Sequence, residues 1–293
     1  MRQLQPLSPE PQPSRASAER QIFGFDAFTP KEIAQRVEKN GVIKARLPFL
    51  PMAMLGIVAG GFIGLGAMYY TLVISDAELG FAASRVLGGV AFTLGLILVV
   101  MAGAELFTGN NFLVMAWAEG QITTSEVVRN WLVVYFTNAF GAIALAIVIF
   151  LSHYPDMNDG NVGRAAIRLA AYKASLPFWT AFFKGVLCNM LVCLGLWVAM
   201  AGRSVTDKIL AMIFPISAFV ACGYEHCIAN LYIIPLGILL ANFGALPPGI
   251  DVSSLGVAGL LSNLVPVTLG NIVGGSVLVG LVYYAIYRKG LRS

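Results

Sequence analysis

Gly103-Ala104-Glu105-Leu106-Phe107-Thr108-Gly109-Asn110-Asn111 interrupts one long apolar run, and Gly223-Tyr224-Glu225-His226-Cys227-Ile228-Ala229-Asn230 interrupts another. Aligned, both read Gly-x-Glu-x-x-x-x-Asn. Working outward, Asn130, Asn138 and Gly141 follow the first stretch and Asn263, Asn271 and Gly274 follow the second at identical spacing. Gly56 and Gly60 before the first loosely echo Gly185 and Asn189 before the second. Three matches in the same order indicate an internal duplication of a three-helix unit.

The interrupted runs are two of six apolar stretches, roughly 48–74, 84–116, 127–151, 178–201, 206–241 and 256–287. The 293-residue chain is 58% hydrophobic and only 12% charged, against about 25% charged in a typical soluble domain. Crossing a hydrocarbon core takes about 20 apolar residues per helix. The chain is therefore expected to be an all-α membrane protein with six spanning helices. Three helices per unit put the second copy into the membrane upside down, the inverted repeat of channels and transporters.

Residues 1–25 are polar and proline-rich, read as a disordered cytoplasmic tail with no apolar stretch for a signal peptide. Residues 26–47 hold a surface helix: Thr29-Pro30-Lys31-Glu32 is a capping box with proline at the first helical position. Ile33 and Val37 mark its apolar face, expected to lie on the membrane. Residues 48–287 form the channel domain and 288–293 a second cytoplasmic tail. Basic residues cluster before the first span (Arg2, Arg15, Arg20, Lys31, Arg36, Lys39, Lys44, Arg46) and after the last (Arg288, Lys289, Arg292). This bias places both termini in the cytoplasm, and it accounts for the net charge of +4 without nucleic acid. Arg164, Arg168 and Lys173, in the loop after the third span, run against the rule. Cys188, Cys193, Cys222 and Cys227 show no metal-binding spacing and read as packing residues.

Unwound backbone at membrane depth persists only where it lines a cavity or is buried in protein. Helices resuming near Thr108 and Ala229 would offer backbone N–H groups to the interior, and helix N-termini favour anions. The residues alone thus point to an anion path. His226, the one histidine within the spans, is the functional candidate, expected as a neutral hydrogen-bonding ring; His153 lies in a loop. Glu105 and Glu225 would repel an anion, so they are expected to accept hydrogen bonds from loop N–H groups of their own breaks. Asn189 and Asn271 serve either helix–helix bonding or pore lining. Lys184 is expected to reach the interface. A membrane enzyme or sensor is the rival reading. It is disfavoured because the breaks supply no nucleophile–base pair and no metal-ligand cluster.

Ala104-Glu105-Leu106-Phe107-Thr108-Gly109-Asn110 resembles the second-helix signature of the formate/nitrite transporter family. Gly223 to Asn230 resembles the fifth-helix signature, Gly185-Val186-Leu187-Cys188-Asn189 with Leu191-Val192-Cys193 the fourth, and Asn263-Leu264-Val265-Pro266-Val267 the sixth. The likeness runs from about Asp26 to Tyr287. It implies an aquaporin-like protomer in a homopentamer, a pore in each protomer, no cofactor, no metal, and a plasma membrane location in a bacterial or archaeal cell. It further implies that His226 is the pore histidine and Thr108 its partner, that Lys173 draws anions into a vestibule, and that Asn189 and Asn271 face the pore. Phe92 and Leu96 would form the outer constriction with Phe219, while Leu106 and Phe107 come from the broken loop. Asn110 and Asn230, with the glutamates, hold the breaks. The N-terminal helix matches a segment associated with gating in formate channels. Formate is the expected substrate, moved by a pH-dependent channel or in a proton-coupled manner; nitrite and hydrosulfide are the alternatives.

Overall fold

A computed structural model describes residues 27–244 and 249–289. The described residues are helical and turn segments without strands. The expected 1–25 tail and residues 290–293 of the C-terminal tail lie outside them.

Helix α1 (Pro30–Ala45) starts at the expected capping box: Thr29 Oγ1 accepts from Glu32 N, and Glu32 Oε2 accepts from Thr29 N at 2.8 Å. Its apolar face lies against the protein itself. Ile33, Ala34 and Val37 pack with Phe112, Met115, Cys193 and Trp197. Helix α2 (Phe49–Ile74) fills the first expected span. Helix α3 (Phe81–Leu98) ends in a π-helical turn, Val99–Gly103. The first break follows, then a 3-10 turn (Gly109–Phe112) and the six-residue α4 (Leu113–Ala118). Helix α5 (Thr124–Leu151) opens on a second capping box, Thr123 with Glu126. Helix α6 (Asn161–Ala174) occupies what the sequence offered as an external loop. Helix α7 (Phe178–Ala199) is the fourth span. Helices α8 (Val205–Ala221) and α9 (Cys227–Phe243) flank the second break, and α10 (Val257–Ile272) runs through a π-helical segment, Val273–Leu281, into α11 (Val282–Tyr287).

Among the described residues, five helices or continuous helical runs are long and apolar enough to cross a membrane, and the expected fifth span is divided between α8 and α9, of 17 residues each. Large apolar side chains point outward along these helices, among them Phe136, Phe140, Trp179 and Phe214. In water such a surface would aggregate; in hydrocarbon or against another protomer it is solvated. The chain is a multi-pass membrane protein.

Hydrophobic driving force between helices is weak in lipid, so packing relies on close approach and on buried polar bonds. A Cβ at Gly141 would strike the backbone of Ile57 on α2, and one at Gly274 would strike Val186 on α7. These are the two glycines matched in the repeat. They let α5 close on α2 and the π-helical segment after α10 on α7.

Candidate functional site

Each break is closed by the amides that the repeat singled out. Asn138 Nδ2 donates to the carbonyls of Gly56 and Glu105, both at 2.8 Å, and its Oδ1 accepts from Phe107 N at 2.9 Å. Asn271 does the same in the second half: Nδ2 to Gly185 O (2.8 Å) and Glu225 O (2.9 Å), Oδ1 from Cys227 N (3.0 Å). These bonds satisfy backbone that no helix serves, as burial requires. They also consume two of the N–H groups expected to face the interior. Asn271 therefore binds helix to loop. Asn189 likewise donates to Thr108 O (3.2 Å) and Asn271 O (2.8 Å); neither amide lines the cavities described below.

The glutamates differ from expectation. Their partners are ammonium and amide groups, not loop N–H groups. Glu105 Oε1 accepts from Lys44 Nζ at 2.8 Å and Oε2 from Asn110 Nδ2 at 2.7 Å. Glu225 Oε1 accepts from Lys173 Nζ at 2.9 Å and Oε2 from Asn230 Nδ2 at 2.7 Å. Asn110 continues to Asn130, which donates to Lys44 O; Asn230 continues to Asn263, which donates to Lys173 O. The repeat thus includes α1 and α6, each delivering a lysine to its own break. Lys44, read from sequence only as a flanking charge, is the residue that reasoning missed. The available signal was its position twelve residues before Gly56, matching Lys173 before Gly185.

Two cavities flank the breaks. The one on the α1 side, about 890 Å³, is lined by Arg36, Lys39, Lys44, Glu105 and Lys208 and by Leu96 and Leu106. The one on the α6 side, about 60 Å³, is lined by Arg85, Phe92, Lys173, Phe219, Glu225 and His226. Behind the α6-side lining, His226 meets Thr108, which lines neither cavity; both are buried, with Thr108 Oγ1 and His226 Nε2 3.0 Å apart. His226 is the N-cap of α9, and its Nδ1 accepts from Ala229 N at 3.1 Å. An acceptor Nδ1 carries no proton, so the neutral ring holds its hydrogen on Nε2, aimed at Thr108. The threonine hydroxyl hydrogen then remains available to a third group.

The aromatic and aliphatic candidates separate. Phe92 and Phe219 meet edge to face at 5.6 Å, and Phe219 stacks on the His226 ring at 6.0 Å. Leu96 lines the α1-side cavity with Leu106, whereas Phe92 and Phe219 line the α6-side one. Phe107 lines neither cavity; it packs edge to face on Trp131 and Tyr135. The π-helical turn before the first break rotates the following residues out of the phase that helical spacing gives. Lys184 bonds the Tyr172 hydroxyl at 2.6 Å, and exposed His153 pairs with Asp156.

Residues 31–285 match the family described as formate/nitrite transporter. The chain belongs to the formate/nitrite transporter family. It is 39% identical over 276 residues to the formate channel FocA of Escherichia coli K12, covering 90% of this chain and 96% of that one. It is 34% identical over 262 residues to the formate channel BtFdhC of Bacillus thuringiensis, covering 89% and 96%. A solved structure described as a pentameric formate channel with formate bound superposes with a TM-score of 0.76 at 39% identity, over 82% of this chain and 97% of that one. The aquaporin-like, all-helical fold expected from the sequence is the fold of these family channels. Both paired breaks lie within the matched residues.

Proposed function

We propose that the protein carries formate across the plasma membrane of a bacterial or archaeal cell as a homopentamer, with a path through each protomer and both termini cytoplasmic. It acts as a channel or transporter and not as an enzyme. The likeness to named formate channels supports the substrate and the assembly. The orientation is supported by the basic residues Arg36, Lys39, Lys44 and Lys208 gathered on the α1 side.

The observation that carries the reading is the buried Thr108–His226 pair, set at the α6-side cavity; the charged groups lining the two cavities are mostly cations. An anion reaching it takes a hydrogen bond from the Thr108 hydroxyl, whose oxygen accepts from His226 Nε2. Moving a bare anion past Phe92 and Phe219 or past Leu96 and Leu106 is costly, whereas the neutral acid passes with a far smaller desolvation cost. Neutralisation at the pair therefore sets the rate. Passing a proton from Nε2 demands a proton on Nδ1 in exchange, so Ala229 N–H must release that nitrogen; otherwise the proton comes from water. Lys173 contributes polar contact at the α6-side approach. Asn110, Asn230, Glu105, Glu225, Asn189 and Asn271 hold the breaks in shape.

The test is initial influx of formate, nitrite and hydrosulfide, side by side, into liposomes holding the purified protein. Formate is expected to enter fastest, increasingly so as pH falls, and His226→Phe is expected to remove that pH dependence. Faster nitrite or hydrosulfide uptake would reassign the substrate. Unchanged pH dependence in a variant that still conducts would remove His226 from the proton path.

A further inference from the structure

The α6-side cavity is lined by three formally charged residues, Arg85, Lys173 and Glu225. Two of them cancel. The Lys173 ammonium sits 2.9 Å from a Glu225 carboxylate oxygen, with side chains only 9% and 1% exposed. Such a pair presents almost no net field to an ion arriving from water.

Arg85 is different. Its Nε donates to the carbonyl of Ala221 and its Nη1 to the Tyr70 hydroxyl, each at 2.9 Å. Both acceptors are neutral, and among the described residues no carboxylate lies within ion-pair distance of the guanidinium. The group is fixed in place yet keeps its full charge. The third nitrogen, Nη2, lies against Gly223, where a Cβ would come within 2.6 Å of it. Gly223 has φ +70°, a conformation glycine takes without strain. The missing side chain lets the guanidinium lie over the start of the second break, three residues before His226. A fork of N–H donors held this way matches a planar oxyanion with two acceptor oxygens better than it matches a spherical anion.

We propose that Arg85 is the residue that captures the anion at the α6-side mouth and favours carboxylates over single-atom anions such as hydrosulfide. The assignment rests on the anion-transport reading above. On the α1 side the same duty is spread over Arg36, Lys39 and Lys208, which makes Arg85 the sole net charge of its cavity among the described residues.

The test measures formate flux with substrate added to one side at a time, for wild type and Arg85→Gln. Charged clefts raise capture rates by about 10-fold or more. The half-saturating formate concentration on the α6 side is expected to rise roughly tenfold, with the maximum rate retained. Entry from the α1 side is expected to keep its wild-type value, which reports an intact fold. Added salt is expected to weaken α6-side uptake in wild type and to lose that effect in the variant. An unchanged half-saturation on the α6 side, or equal losses from both sides, overturns the proposal. If Arg85→Gln does not fold, Arg85→Lys decides the matter by keeping the charge without the fork. Weakened formate entry with hydrosulfide entry preserved is expected; both unchanged, or both reduced alike, overturns it. Absence of formate flux in wild type would instead strike the function proposed above.

Discussion

The two breaks share a scaffold and differ in chemistry. In both, an asparagine from the third helix of the half ties the loop to the first, and a lysine–glutamate–asparagine chain braces the turn. Yet the first break contributes Thr108 and the second His226, from positions that do not correspond. Thr108 lies three residues after Glu105, whereas His226 directly follows Glu225. The brace on the α1 side is also wetter: Lys44 is 33% exposed where Lys173 is 9% exposed. Duplication thus fixes the frame, and divergence within it places a hydroxyl against an imidazole.

The largest test of a shared scaffold is Asn138→Leu beside Asn271→Leu. Each removes three bonds and strands buried backbone groups, at about 1–3 kcal/mol apiece. Both variants are expected to fail to accumulate as folded protein on gel filtration in detergent. A stable variant at one site alone would show that the halves are not equivalent. The pair of ion bridges tests where equivalence ends. Glu225→Gln strands a buried ammonium and is expected to cost roughly 3–5 kcal/mol, a large drop in melting temperature. Glu105→Gln leaves a partly hydrated lysine and is expected to cost about 1 kcal/mol. Equal losses would mean that the difference in exposure has no energetic weight. A comparably small effect belongs to the cap of α1, which has no counterpart on α6, where Gly160 holds the N-cap position without a side-chain bond. Thr29→Ala is expected to destabilise by about 1 kcal/mol, seen as earlier exchange of α1 amides and little else.

The spans, the duplication and His226, whose pairing with Thr108 came from the family resemblance, were legible because each leaves a local mark: long uncharged runs, matched spacings, a polar residue where none belongs. The partners of Glu105 and Glu225 were not. Lys44 and Lys173 are 61 and 52 residues away, and nothing local distinguishes a lysine that turns inward from one that faces water. The roles of Leu96 and Phe107 came from the family resemblance, and a motif does not show that Leu96 lines the α1-side cavity or that Phe107 packs on Trp131 and Tyr135. Arg85 opens an apolar helix and reads as an ordinary interfacial arginine until the fold brings Ala221 and Gly223 beside it.

Each break is closed by side chains drawn from its own half: Lys44, Asn130 and Asn138 for the first, Lys173, Asn263 and Asn271 for the second. A ribosome finishing residue 138 has therefore already supplied every one of those side chains for the first turn. The early half thus carries most of its own bracing, while the carbonyls of Thr108 and Asn111 take bonds from Asn189 and Ser276 of the later half. The contact between Thr108 and His226 waits for the later half as well. The order of synthesis therefore leaves the conducting site, which needs both halves, among the last elements to be assembled.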